Sequence, residues 1–168
     1  MPEDTYPQDW DNMDDSNSFD TDFNVDDDYK PEPLVIGGTY YGTVKGVKLD
    51  PNTASVIFTI VLDRNEGVTC TDNETPVDGV EVDSRLWLPR PNDRNELNKR
   101  GNMTKFQSKI NMMKQFSERT GFNIKDMATI RQAIEDQEWI GTEVSARVDV
   151  ETYEGRQFNR CNQFSAIM

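Results

Sequence analysis

A chain of 168 residues, 35% of them hydrophobic, has room for one domain with a real core and too little for two comfortable ones. Its formal net charge of −13 argues at first sight against a nucleic-acid role, because phosphate binding needs a basic surface. Two cysteines, Cys70 and Cys161, make neither a disulfide framework nor a zinc cluster, and the lack of histidine removes the commonest general base and metal ligand.

The charge is unevenly placed. Residues 1–33 hold twelve acids (Glu3, Asp4, Asp9, Asp11, Asp14, Asp15, Asp20, Asp22, Asp26, Asp27, Asp28, Glu32) against Lys30 alone, so the remainder carries a net charge of only −2. This stretch lacks helical or strand period and reads as a disordered acidic arm. Aromatics sit among its acids (Tyr6, Trp10, Phe19, Phe23, Tyr29), the pattern of a partner-docking arm, with a plain solvating tail as the other reading. Without an apolar signal region or a run of membrane length, the expected location is a reducing cytoplasm, that of the host if the protein is phage-encoded. Pro31 and Pro33 close the arm, and a folded domain is expected over 34–168.

That domain opens with a β-branched, Gly-punctuated strand, Thr39–Leu49, then a turn at Asp50-Pro51-Asn52 and an apolar strand at Ala54–Leu62. Residues 64–79 are polar and turn-rich, a long loop or loose hairpin extension. Val80–Leu88 alternates, with Val80, Val82, Ser84, Leu86 and Leu88 on one face and Glu81, Asp83, Arg85 and Trp87 on the other. After Pro89 and Pro91, Phe106, Ile110, Met113 and Phe116 recur at helical spacing within Met103–Thr120, a stripe read as core, and Gly121 supplies the stop. A second helix is expected at about 127–137, with Trp139 and Ile140 packing at its end. Val144, Ala146, Val148 and Val150 alternate as a fourth strand, and Arg156–Phe164 follows Glu154-Gly155 as the fifth. Three strands, two helices and two strands predict a mainly β protein: a five-stranded OB-fold barrel with its helices between strands three and four.

Several pieces of this sequence carry a family likeness: Gly38-Thr39-Tyr40-Tyr41-Gly42-Thr43-Val44, the strand Arg85-Leu86-Trp87-Leu88, the helix stop Thr120-Gly121, Trp139-Ile140-Gly141, and the hairpin Tyr153-Glu154-Gly155-Arg156 with Asn159. With these the chain resembles phage-encoded OB-fold single-stranded DNA-binding proteins over about residues 34–165. The resemblance implies binding of single-stranded DNA in replication or recombination. It departs in one respect: many such proteins bear an acidic C-terminal tail, whereas this chain ends Phe164-Ser165-Ala166-Ile167-Met168. A tail-like role toward replication or recombination proteins would fall to the N-terminal arm.

Single strands are held by cations along the backbone path and aromatic faces under the bases. Between Arg85 and Arg119 lie nine bases and three acids, a local +6 inside a protein of −13. Arg90, Arg94, Lys99, Arg100, Lys105 and Lys109 are therefore candidates for a basic loop running into a helix, a solvated face being the bland alternative. Trp87, beside Arg85 on the outward parity of strand three, either stacks on bases or lies under the helices; the neighbouring guanidinium favours stacking. Tyr41 with Lys45, Phe158 with Arg160, and Tyr153 are further candidates, balanced against simple packing, while Tyr40 is assigned to the core. No phosphate loop, nucleophile elbow or histidine metal motif occurs, and the carboxylates have no convening spacing, so neither enzyme nor cofactor is expected. The alternative is an acidic DNA mimic that inhibits a partner, which would spread its acids over a folded surface.

Overall fold

A computed structural model describes residues 21–167. The chain divides into two units, Met1–Glu32 and Pro33–Met168. In the first, residues 21–32 are exposed and hold one helical turn, α1 (Val25–Asp28). The Asn24 side-chain oxygen accepts the N–H groups of Asp26 and Asp27 at 3.0 and 3.1 Å, and three acids in the first turn suit the helix dipole. A segment expected to lack helix thus carries one capped turn, which buries nothing. Tyr6, Trp10 and Phe19 lie outside the described residues.

The second unit runs β1 (Gly38–Asp50), β2 (Ser55–Leu62), β3 (Glu81–Trp87), a 3-10 turn (Pro91–Asn95), α2 (Lys105–Thr120), α3 (Met127–Glu135), β4 (Glu143–Tyr153) and β5 (Arg156–Ala166). Its strands form one antiparallel sheet in the order β3-β2-β1-β4-β5. Strand β1 is long enough to serve two partners. Its first half pairs with β4 and its second with β2, and a bulge between Val44 and Gly46 bends it where the partners change. Gly42 pairs with both Leu62 and Val144 at this crossing. A Cβ there would stand 2.7 Å from Ile60 Cγ2 and 2.9 Å from the Val61 carbonyl, so the crossing excludes a side chain.

The sheet coils until its edges β3 and β5 lie side by side, but no ladder joins them. This is the strand order of a partly open five-stranded OB barrel, with its helices after strand three. Inside, Phe58 is the hub: its ring centroid lies 5.2 Å from Phe116, 5.3 Å from Phe164 and 5.9 Å from Trp139. Trp139 in turn stacks on Phe122 at 5.0 Å, which fixes the end of α3 against the barrel. Tyr40 is half-buried against this core, its hydroxyl donating to the Ile36 carbonyl at 2.5 Å.

Helix α2 starts at Lys105 because the Thr104 hydroxyl caps the Gln107 N–H at 3.1 Å, and Gly121 ends it in the left-handed region at φ 75°. Its buried residues are Met113, Phe116 and Thr120. Two members of the expected apolar stripe depart from the core: Ile110 is exposed, and Phe106 is half-buried with the Arg94 guanidinium 3.8 Å from its ring centre. The reason is the placement of the helix, whose first turns face the 3-10 turn while its later turns cover the barrel.

Of the two readings of residues 64–79, the structure has the hairpin extension, closed by an antiparallel bridge between Thr69 and Pro76. The Asp78 carboxylate accepts the Asn65 backbone N–H at 3.0 and 3.1 Å, and the Asn65 amide donates to the Tyr41 carbonyl at 2.9 Å. Within this segment Cys70 and Val77 are buried in the core. No helix among the described residues is long and apolar enough to cross a membrane.

Candidate nucleic-acid interface

Strand parity turns Glu81, Asp83, Arg85 and Trp87 outward while Val82, Ser84 and Leu86 are buried. Trp87 ends β3 with 42% of its surface exposed, a large aromatic that the fold leaves uncovered. The Arg85 guanidinium carbon sits 5.8 Å from the indole centre, within cation–π range. One Arg85 nitrogen is held at 3.0 Å by each of the Thr53 and Ser55 hydroxyls and at 3.4 Å by Asp50. The short β1–β2 turn therefore holds the guanidinium beside the ring. Asp50 itself is kept below the ordinary carboxylate range, chiefly by the Thr53 hydroxyl.

Beyond Trp87 the surface opens into a groove whose other walls are the basic loop and the first turns of α2. Lys99, Arg100, Lys105 and Lys109 line it with Trp87 and Met112. Lys99 and Arg100 are exposed on the turn that Asn98 and Gly101 close. Lys105 bonds the Glu96 carboxylate at 2.7 Å, a solvent-exposed pair that phosphate can compete for. Lys109 has a different task. Its ammonium is largely covered and lies 2.8 Å from the buried Asp93 carboxylate and 3.4 Å from the Leu88 carbonyl. The same Asp93 oxygen accepts the Arg90 backbone N–H at 2.7 Å. These donors, Arg90 first and Lys109 second, hold the Asp93 carboxyl below its usual range. The knot ties the 3-10 turn, the end of β3 and α2 together, so it sets where the loop cations stand.

Arg90 and Arg94 are exposed on the 3-10 turn, Arg90 reaching the Asn52 carbonyl at 3.4 Å and Arg94 covering Phe106. Phe158 and Arg160 approach Arg85 from β5, sharing a surface hollow with Glu81 and Asp83. Arg160 spends charge on Glu151 at 3.1 Å, and its guanidinium carbon lies 5.7 Å from the Phe158 ring centre. Two anionic side chains make this end of the surface the weaker half for phosphate.

Tyr41, Lys45 and Tyr153 stand apart from the groove around Trp87. Tyr41 is exposed on β1 with Arg64 5.7 Å from its ring centre, and Lys45 is paired with Glu81. Tyr153 is 68% exposed near the tip of the β4–β5 hairpin, which runs on for five residue pairs past the last pairing of β4 with β1. Three groove residues escape the sequence reading: Met112, Gln115 and Arg119, which line a hollow shared with Trp87. Their spacing of three and four marks one face of α2, but only the position of the helix across β3 and β5 shows where that face points. Among the described residues no group of three or more His, Cys, Asp or Glu is arranged to hold a metal ion. No family model and no curated protein matches this chain, and the interface stands on its own geometry.

Proposed function

We propose that the protein binds single-stranded DNA through the groove between β3, the basic loop and α2, with little sequence preference over most of its length. The observation that carries this reading is an uncovered Trp87 with Arg85 beside its ring, opening onto Lys99, Arg100 and Lys105. Aromatic faces stack any base and cations follow any backbone, so the combination suits a single strand and carries no base code. A duplex hides its base faces and gains nothing from Trp87. In this reading the protein is no enzyme and uses no cofactor. It protects or organises single strands during replication or recombination in the cytoplasm, and its acidic arm recruits partner proteins.

Fluorescence anisotropy with labelled oligo-dT and a duplex of equal length tests the reading. Oligo-dT should bind more tightly, and log affinity should fall with log salt by about 0.7 per phosphate neutralised. Preference for the duplex, or affinity indifferent to salt, overturns it.

A further inference from the structure

The open seam of the barrel contains a cavity of about 170 Å³ that phosphate tracking does not use. Its origin lies in the ladder. The Leu88 N–H donates to the Ala54 carbonyl and the Leu62 N–H to the Val80 carbonyl, which fixes the even-numbered residues of β3 as those bonded to β2. Asp83, Arg85 and Trp87 consequently turn their backbone N–H and C=O groups toward β5, with which no backbone hydrogen bond is formed among the described residues. Helix α2 lies across this seam. The cavity has Leu86 and Phe116 as its apolar floor, Trp87 at its side, and Gln115, Arg119 and Gln163 as polar groups converging from α2 and β5. Arg119 Nε is the one buried side-chain nitrogen or oxygen without a hydrogen-bond partner among the described residues. Such a donor is costly to leave unmet.

We propose that this cavity is a guanine subsite, taking one base turned out of the strand beside Trp87; the inference rests on the single-strand reading above. A guanidinium edge offers two parallel N–H donors; guanine matches them with its adjacent acceptors O6 and N7, and although an unpaired cytosine offers O2 and N3, the larger guanine ring covers more of the indole and the apolar floor. Adenine sets its N6 amino group beside both N1 and N7, and thymine separates its acceptors O2 and O4 by the N3–H donor, so neither offers an adjacent pair. The apolar floor and the neighbouring indole suit a planar ring better than a hydrated phosphate. The small volume suits one base and excludes a drug-sized ligand. The groove is then sequence-tolerant along most of its path and selective at one position.

The test compares the full chain on oligo-dT and on the same oligonucleotide with one central guanine, which cannot form a quadruplex, and repeats both on Arg119→Lys. The single-guanine strand should bind about tenfold more tightly, within the range a bidentate pair supplies. The Arg119→Lys variant keeps the charge but loses the fork, so the ratio of the two affinities should fall towards one. Equal affinities in the wild type, or a single-cytosine strand that binds as tightly as the single-guanine strand, overturn the guanine subsite while leaving single-strand binding intact. A variant that loses affinity for both strands by the same factor and keeps their ratio marks a phosphate contact, and also overturns it. If neither strand binds, the single-strand reading itself fails.

Discussion

Trp87 occupies the last residue of β3, exposed and with the Arg85 guanidinium over its ring. Replacement by alanine should weaken oligo-dT binding by about 1–3 kcal/mol, the usual loss for a stacking aromatic. The thermal transition should change little, because the core runs through Leu86 and Leu88 and not through the indole. A melt and an anisotropy titration on the same variant separate the outcomes. A collapsed melt with residual affinity unchanged would make Trp87 a packing residue. The sequence allowed its outward parity to be read because alternation is a local property of strands. The polar side of its environment was hidden: the Thr53 and Ser55 hydroxyls that fix Arg85 come from another strand and turn. Lys45 shows the same limit, since its partner Glu81 lies 36 residues away.

The elements followed their local signals closely. Strands expected at Thr39–Leu49 and Ala54–Leu62 run Gly38–Asp50 and Ser55–Leu62, because alternation and turn residues act within a few positions. Helix α2 differed in the face it buries. A stripe through Phe106 and Ile110 assumes the helix lies flat on the core, whereas its first turns rest on the 3-10 turn. What holds that turn is Asp93, which receives both Lys109 and the Arg90 N–H. Replacing Asp93 with asparagine should cost about 1.5–3 kcal/mol of stability at pH 7, as expected for hydrogen bonds to a charged group. It should also weaken oligo-dT binding by loosening the loop that carries Lys99 and Arg100. The pH dependence has a definite sign. Because the folded state lowers the pKa of Asp93 below the ordinary carboxylate value near 4, its contribution is complete above that value. It fades as pH falls through the lowered one. Urea melts of wild type and Asp93→Asn at pH 7 and near pH 3 should therefore converge on the acid side. A gap that widens in acid would show that the carboxylate does not hold the turn.

At the scale of the whole molecule, the charge divides sharply: residues 1–33 carry twelve acids and one lysine, while Arg85–Arg119 carries nine bases and three acids. The arm is covalently joined to the domain, so its acids act at an effective concentration set by the length of the arm. In the proposed reading, a strand approaching the groove meets repulsion from the arm and attraction from Lys99, Arg100 and Lys105. Asp side chains among aromatics also imitate phosphates among bases, so the arm is expected to compete with nucleic acid for the groove. Both effects act through exposed charge and are screened over about 10 Å at 0.1 M salt. Deleting residues 1–33 takes the net charge from −13 to −2. Affinity for oligo-dT should rise, most at low salt and mainly through faster association, since long-range charge steers encounter more than it slows dissociation. Stopped-flow anisotropy at two salt concentrations reads both rates. Unchanged association at low salt would reduce the arm to a solubilising tail or a partner tether. Weaker binding after deletion would mean that the arm contributes contacts of its own, and the groove around Trp87 would then be only part of the site.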